Sequence, residues 1–429
     1  MKKKSVNIVT LGCSKNLVDS EKILGQLDNE RFDLFHDLDK PTDVVIINTC
    51  GFINDAKQES IDTILQFVEA KKHGDIENVI VCGCLSQRYK EELAKEIEYV
   101  DAWFGVEENE GLFKFLNQDY EDSSVIRKVT TPSHYAYLKI SEGCDRFCSF
   151  CAIPFIRGAY KSLPIESLVN EATLLAEKGV KELLLVAQDL NLYGLDLYGE
   201  MKLGNLLNEL SKIKGIEWIR LHYAYPHNFP DDVVSIMANN PKVCKYLDIP
   251  IQHINSNILS SMKRGHGRKE TTELVDNLRK QIPDIAIRTT LLVGYPGETK
   301  EMFEELLDFV KEYKFERLGV FTYSPEEGTT AFSLKDSIPE KTKQLRADKL
   351  MKVQQEISLE LNHLKIGKIF NVLVDREEEQ YFVGRTEYDS PEIDNEVLIK
   401  KNKKLIIGNF YDVKITDAAE FELFGEIKN

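Results

Sequence analysis

The sequence lacks long apolar runs, and this absence excludes a membrane-spanning protein. No stretch approaches the roughly 20 apolar residues that a transmembrane helix needs. The apolar residues 6–11, which follow a basic start, are too few for the core of a signal peptide. We therefore expect a cytoplasmic protein whose cysteines stay reduced and available to metal.

The chain also lacks an excess of positive charge. It has 55 Lys and Arg against 71 Asp and Glu, which gives a formal net charge of −16. An acidic protein repels phosphate backbones unless it gathers basic residues into one patch. The charge balance therefore favours a basic protein or a small molecule over free nucleic acid as the partner. A length of 429 residues is enough for several globular domains.

Three of the eight cysteines follow the spacing C-x3-C-x2-C: Cys144, Cys148 and Cys151, called here the Cys144 triad. A disulfide is disfavoured in a cytosolic chain, and zinc usually takes four ligands, whereas no second close pair lies nearby. An electron-transfer cluster would want a fourth cysteine close in sequence. The spacing therefore predicts three ligands of a cubic iron–sulfur cluster whose fourth iron is open to a cofactor or substrate.

The first third of the chain alternates strand and helix patterns, which predicts a parallel sheet. Strands are predicted at residues 6–10, 43–48 and 79–81, each followed by a helix. Cys13, Cys50 and Cys84 come directly after these strands, at the edge where parallel sheets bind ligands. They form a second candidate three-thiolate site, called here the Cys13 triad. The alternative is three unrelated buried cysteines, the role expected for Cys82 and Cys244.

The remaining patterns predict two more domains. Six further strand–helix units indicate an incomplete parallel barrel, with the Cys144 triad following its first strand. A long helix is predicted at residues 339–364, and six short strands follow it, one of them at residues 405–407. The predicted fold class is α/β, divided into an open parallel α/β sheet in residues 1–125, a partial (βα)6 barrel with its connecting helix in 132–364, and a small β-barrel resembling the oligonucleotide-binding type in 366–429.

Other loops at the active edge of the barrel offer candidate cofactor contacts. The loop after the second barrel strand carries Gln188 and Asn191, whose amides suit polar groups. Arg220 and Arg288 lie on predicted strands and have the shape to pair with a carboxylate through two hydrogen bonds. A turn after the fifth strand gives two more candidates, Gly294 and Glu298. The plain alternative is structural ion pairs and an ordinary turn.

The cysteine run 144–151 resembles the signature of the radical S-adenosylmethionine superfamily. Together with residues 11–13, 48–52 and 83–87, it makes the whole chain resemble the methylthiotransferases. The resemblance implies S-adenosylmethionine, an electron donor and two 4Fe–4S clusters. It also implies that the Cys144 triad generates a radical, that the Cys13 triad carries the sulfur, and that residues 366–429 form a TRAM domain.

Within that family, residues 11–21 (LGCSKNLVDSE) are similar to the branch that modifies an aspartate of small-subunit ribosomal protein S-twelve, as are residues 144–158 and 248–253. The resemblance implies transfer of a methylthio group to the β-carbon of that aspartate. The alternative is a transfer-RNA adenosine methylthiotransferase. Residues 367–429 carry nine Lys and Arg against fourteen Asp and Glu, a net charge of −5 that suits a basic protein substrate and disfavours direct RNA binding.

Overall fold

The computed structural model of the chain describes residues 3–121, 126–335 and 337–428. It contains three main sheets, and one falls within each segment predicted to form a domain. Most of the polar stretch at residues 121–124, predicted to be a boundary, lies outside the described residues. Among the helices of the described ranges, none has the length and apolar character needed to cross a bilayer.

The N-terminal sheet has five parallel strands in the order β2-β1-β3-β4-β5, with helices on both faces. Its two central strands, VVIINT and NVIVCG, are almost entirely buried, as is typical of strands covered on both sides. The sequence predicted β1, β3 and β4 but not the short edge strands. The elements are β1 (Lys4–Thr10), α1 (Ser14–Gln26), β2 (Phe32–His36), β3 (Val44–Thr49), α2 (Asn54–Lys72), β4 (Asn78–Gly83), α3 (Cys84–Glu96), β5 (Ala102–Trp103) and α4 (Asn109–Phe115).

The central sheet has six parallel strands in the order β13-β12-β11-β10-β9-β6, which confirms the predicted partial barrel. Alternate residues such as Leu183 and Leu185 pack outward against the helices, and their neighbours face the barrel interior. The elements are β6 (Tyr135–Lys139), β7 (Ser141–Glu142), α5 (Ile153–Arg157), β8 (Lys161–Ser162), α6 (Ile165–Glu177), β9 (Glu182–Val186), α7 (Leu195–Tyr198), α8 (Leu203–Ser211), β10 (Trp218–Leu221), α9 (Asp231–Asn239), β11 (Val243–Asp248), α10 (Ser256–Ser261), α11 (Arg268–Gln281), β12 (Ala286–Val293), α12 (Lys300–Tyr313), β13 (Arg317–Thr322) and α13 (Glu340–His363).

The C-terminal domain is a closed five-stranded barrel in the order β14-β15-β16-β18-β17, in which only β16 and β18 pair in parallel. The prediction of a strand at residues 405–407 is wrong. Leu405 is buried in the barrel core, but Ile406 and Ile407 are exposed in a turn. The strands are β14 (Ile369–Glu377), β15 (Tyr381–Arg385), β16 (Glu396–Lys400), β17 (Phe410–Ala418) and β18 (Glu422–Ile427).

The interior of the central barrel is covered at both ends by the other domains. Helix α1 of the N-terminal domain packs Leu17 and Val18 against inward-facing side chains that include Tyr137. At the opposite end, Trp218 lies edge-on to Phe410 of the C-terminal domain, with ring centroids 4.8 Å apart. The barrel mouth at the carboxyl end of the strands is therefore shared between the central and N-terminal domains.

His253, in the loop after β11, makes this fold sensitive to acid. Its side chain is fully buried, and burial lowers its pKa to about 3. Between about pH 6 and pH 3 the unfolded chain takes up a proton that the folded chain does not, so stability falls as the pH falls. We expect His253→Gln, which keeps an acceptor for the N–H of Asn255, to reduce this loss by about 1.4 kcal/mol per pH unit.

The measurement is urea unfolding at several pH values between 6.5 and 5. His73→Gln is the matched control, because this histidine lies exposed on the N-terminal domain. An equal pH slope in the wild type and in His253→Gln would contradict the prediction.

Candidate functional site: two cysteine triads at facing sheet edges

The Cys144 triad lies in the loop that follows β7, at the carboxyl edge of the central sheet. The backbone N–H of Cys144 donates to the carbonyl of Gly158 across 3.1 Å, which folds the loop back on itself. Gly143 adopts a φ of 72°, and a Cβ added there would lie 2.1 Å from the carbonyl oxygen of Ala159. Only glycine fits this position, so the turn before the first cysteine is fixed by sequence. All three thiols are free.

A buried cation and a tyrosine face this triad. One guanidinium nitrogen of Arg264 lies 3.4 Å from Cys148 Sγ, and the hydroxyl of Tyr225 lies 3.8 Å from the same sulfur. Burial raises the pKa of Cys144 to about 11 and that of Cys151 to about 12. The thiolate forms needed for metal binding are therefore costly unless positive charge offsets the burial, and Arg264 supplies such a charge.

The Cys13 triad is assembled from three loops of the N-terminal sheet. Cys13 directly precedes α1, Cys50 directly follows β3, and Cys84 is the first residue of α3. The loops touch, because a Cβ added at Gly12 would lie 2.8 Å from Cys50 Sγ. Burial, together with the neighbouring sulfurs of Cys84 and Cys13, raises the pKa of Cys50 to about 11. The parallel topology therefore brings together thiols that lie more than 30 residues apart in sequence.

The six thiols of the two triads are free. Within residues 3–121, 126–335 and 337–428, no three His, Cys, Asp or Glu side chains are arranged to hold one metal ion. A cubic cluster places each of three thiolates on a different iron. Cys82 and Cys244 lie in apolar cores instead, as the sequence predicted. Six free thiols in two groups thus fit two iron–sulfur clusters.

Arg157, the last residue of α5 in the central domain, reaches the Cys13 triad of the N-terminal domain. One of its guanidinium nitrogens lies 3.4 Å from Cys84 Sγ, and the other donates to Asp19 across 2.7 Å. Lys139 and Glu142 complete a buried network of two cations and two carboxylates. Burial alone would raise the pKa of Asp19, but Lys139 and Arg157 lower it to about 2. A residue of the central domain thus places a fixed positive charge on the N-terminal triad.

Replacing Arg157 should change the electronic properties of the Cys13 triad. In Arg157→Gln the charged donor to Cys84 is lost, so we expect the reduction potential of a cluster on this triad to fall by tens of millivolts. The measurement is an electron paramagnetic resonance redox titration in a Cys148→Ala background, which leaves only the Cys13 triad complete. Arg268→Gln, which removes an exposed arginine paired with Glu305, is the control. An unchanged potential would show that Arg157 serves only to hold the domains together.

The two side-chain amides predicted to contact a cofactor, Gln188 and Asn191, differ in how many of their hydrogen-bonding groups are already used. Gln188 donates to Glu142 across 3.2 Å, and its buried Oε1 has no hydrogen-bond partner among the described atoms. Asn191 exchanges two hydrogen bonds with the backbone of Tyr225, of 2.7 and 3.2 Å. Gln188 therefore keeps a free acceptor at the edge of the Cys144 loop, whereas Asn191 holds the neighbouring loop in place.

Gly294 and Glu298 form a tight turn after β12. Gly294 has a φ of 77°, and an added Cβ would lie 2.3 Å from the side chain of Lys343. The buried carboxylate of Glu298 accepts the N–H of Gly294 and pairs with Arg346 at 3.1 Å. Glycine is required here by close packing, and the glutamate stabilises the turn.

Arg220 and Arg288 have protein carboxylates and carbonyls as partners. Arg220 donates to Glu182 across 2.7 Å and to the backbone oxygen of Glu387 across 2.7 Å. Arg288 pairs with Asp394 at 2.8 Å. Two of these three partners belong to the C-terminal domain, so the arginines join that domain to the barrel.

Sequence reasoning missed three cations that the structure brings to the triads: Arg157, Arg264 and Lys15. Arg157 and Lys15 each lie within a few residues of a predicted ligand, so their proximity was a usable signal. Arg264 lies more than 100 residues beyond Cys148, and no local pattern marks it.

Three family profiles match successive segments of the chain. A profile described as Uncharacterized protein family UPF0004 matches residues 5–105, one described as Radical SAM superfamily matches residues 138–310, and one described as TRAM domain matches residues 366–427. Among solved structures, the radical S-adenosylmethionine methyltransferase TsrM from Kitasatospora setae superposes with a TM-score of 0.55 at 16% identity, over 76% of this chain and 77% of that one. That likeness concerns the fold.

Curated relatives match along 95% or more of their length. The ribosomal protein uS12 methylthiotransferase RimO of Christiangramia forsetii is 56% identical, over 100% of this chain and 95% of its own. The proteins of the same name from Cytophaga hutchinsonii and Bacteroides fragilis are 53% and 52% identical over 98% and 100% of their lengths. The chain therefore belongs to the RimO family of radical S-adenosylmethionine methylthiotransferases.

Proposed function

We propose that this chain transfers a methylthio group to the β-carbon of an aspartate in ribosomal protein uS12. The observation that carries the proposal is the pair of cysteine triads at the sheet edges of two domains, with Arg157 of the central domain in contact with Cys84 of the N-terminal triad. One cluster alone would explain radical chemistry but not a sulfur donor. A second triad, reached by the same mouth of the barrel, provides a separate place for the sulfur.

The residues of each triad would hold a 4Fe–4S cluster, with S-adenosylmethionine bound at the Cys144 triad. When bound, these groups supply the one-electron chemistry that breaks an unactivated C–H bond, together with the sulfur that is transferred. The protein's contribution is to orient the clusters and the cofactor and to keep water away from them. Arg264 stabilises the thiolate of Cys148, and Gln188 offers its free acceptor to the cofactor. Asn191, Gly294 and Glu298 shape the loops around that position.

The uS12 protein as substrate is supported by charge as well as by family. The C-terminal barrel has nine Lys and Arg against fourteen Asp and Glu. A basic ribosomal protein is attracted to such a surface, whereas a phosphate backbone is repelled. We place the reaction in the cytoplasm, where the ribosome and a reducing electron donor are available. Transfer-RNA adenosine remains the second candidate substrate, because its modification would use the same two triads.

The test is mass spectrometry of small-subunit ribosomal proteins from cells with and without this gene. We expect the aspartate of uS12 to carry one methylthio group in place of a hydrogen only when the gene is present. Nucleoside analysis of transfer RNA from the same cells is the parallel measurement. A gene-dependent methylthio group on adenosine, with uS12 unmodified, would overturn the proposed substrate and leave the reaction class standing.

A further inference from the structure

Lys15 is a buried cation that interacts with the carboxylate of Asp248 from beyond ion-pair distance, because Asp248 lies closer to Arg288. It lies in the first turn of α1, two residues after Cys13, with its ammonium 3.5 Å from the carbonyl of Ala187 and 3.4 Å from the ring centre of Tyr223. Within residues 3–121, 126–335 and 337–428, no Asp or Glu lies within ion-pair distance of it. A carbonyl and an aromatic face satisfy the ammonium only in part.

Two other buried cations nearby, Lys139 and Arg157, share the carboxylate of Asp19. A third, Arg264, faces the sulfur of Cys148 and the carbonyl of Pro250. Burying a charge without a counter-ion costs free energy, so an unpaired buried charge does not stabilise the fold. The ammonium of Lys15, with one carbonyl and one aromatic face as its contacts, keeps donor capacity for an anion that arrives from outside the chain.

The position of Lys15 shows where that anion would lie. Ala187 directly follows β9 and Tyr223 lies two residues after β10, so both contacts are at the carboxyl edge of the central barrel. Tyr223 adopts a φ of 66°, an uncommon conformation for a residue with a side chain, and its ring lies under the ammonium. Lys15 thus extends from the element that carries Cys13 into the mouth that carries the Cys144 triad.

We propose that Lys15 binds the side-chain carboxylate of the aspartate that is modified, an inference that rests on the proposed function. The β-carbon of aspartate is bonded directly to its carboxylate carbon. Holding the carboxylate on Lys15 therefore places the reacting carbon one bond from a group fixed at the carboxyl edge of the barrel. The contact is non-covalent, and no proton moves. A neutral adenine offers no such anion, so Lys15 would also select protein over nucleoside.

The experiment measures how tightly the cluster-loaded protein binds uS12 and a uS12 variant in which the modified aspartate is replaced by asparagine. We expect the wild type to bind the aspartate form about tenfold more tightly, as fits one charge-assisted hydrogen bond. Lys15→Met should bind both forms equally, and Lys15→Arg should keep most of the preference. Lys72→Met, which removes an exposed lysine of α2, should leave the preference unchanged.

Each other outcome counts against the inference. If the wild type binds both forms of uS12 equally, Lys15 does not read the carboxylate. If Lys15→Met weakens both forms by the same factor, the lysine only seats α1 on the barrel. Equal iron content in all variants shows that they have folded and loaded. A wild type that neither binds nor modifies uS12 would instead refute the proposed function itself.

Discussion

The Cys148→Ala variant is expected to bind about four iron atoms instead of about eight and to release no deoxyadenosine from S-adenosylmethionine. The reason is that Cys148 lies among the thiols of the Cys144 triad and receives the charged contact from Arg264. Two thiols do not hold a cubic cluster with one open iron. The measurements are iron analysis and chromatography of the reductively treated protein with S-adenosylmethionine.

The Cys50→Ala variant should separate the two activities. It is also expected to lose about four irons, but it should still release deoxyadenosine at a rate close to that of the wild type. Methylthiolation of uS12 should be abolished, because the sulfur-carrying triad is incomplete. Cys82→Ala is the matched control, because this buried cysteine lies two residues before Cys84 but packs in the apolar core. Loss of deoxyadenosine release in Cys50→Ala would refute the assignment of separate roles.

The sequence predicted both triads because their positions follow from local patterns. Parallel strands place their carboxyl ends at one edge, so cysteines that follow β1, β3 and β4 meet there whatever their separation in the chain. The edge strand β2 was missed, since Phe32–His36 is half exposed and carries only a weak alternation. The strand forms because it pairs with β1, and this contact cannot be predicted from the local sequence pattern.

The roles of Arg220 and Arg288 could not be predicted from local sequence. Both side chains lie on barrel strands at positions that face the interior, where a cofactor contact is expected. A guanidinium group can also pair with a carboxylate. Their partners Glu387 and Asp394 belong to a loop of the C-terminal domain that lies more than 100 residues later in the chain. The partners of the two arginines are set by the contact between the C-terminal domain and the barrel. No periodicity within either segment predicts that contact.

The contact between the C-terminal domain and the barrel gives the largest change in the free energy of unfolding that we expect from one substitution. Glu182, at the start of β9, is fully buried and accepts from Arg220 across 2.7 Å and from Arg385 of the C-terminal domain across 2.8 Å. Burial opposes ionisation, but Arg385 and Arg220 lower the pKa of Glu182 below its usual range. In Glu182→Gln two buried guanidinium groups lose their shared carboxylate, so we expect a loss of about 3–5 kcal/mol.

Trp218 provides the measurement, because its ring packs on Phe410 across the same interface. In a Trp103→Phe background it is the only tryptophan, so its fluorescence during urea unfolding reports the separation of the C-terminal domain from the barrel. Glu396→Gln removes half of an exposed ion pair with Arg376 in the same domain and should cost no more than about 1 kcal/mol. If both variants unfolded at the wild-type urea concentration, the buried carboxylate would not be what holds the domain. A loss confined to Glu182→Gln would instead mean that the C-terminal barrel keeps its place through charge buried in the interface rather than through its exposed ion pairs.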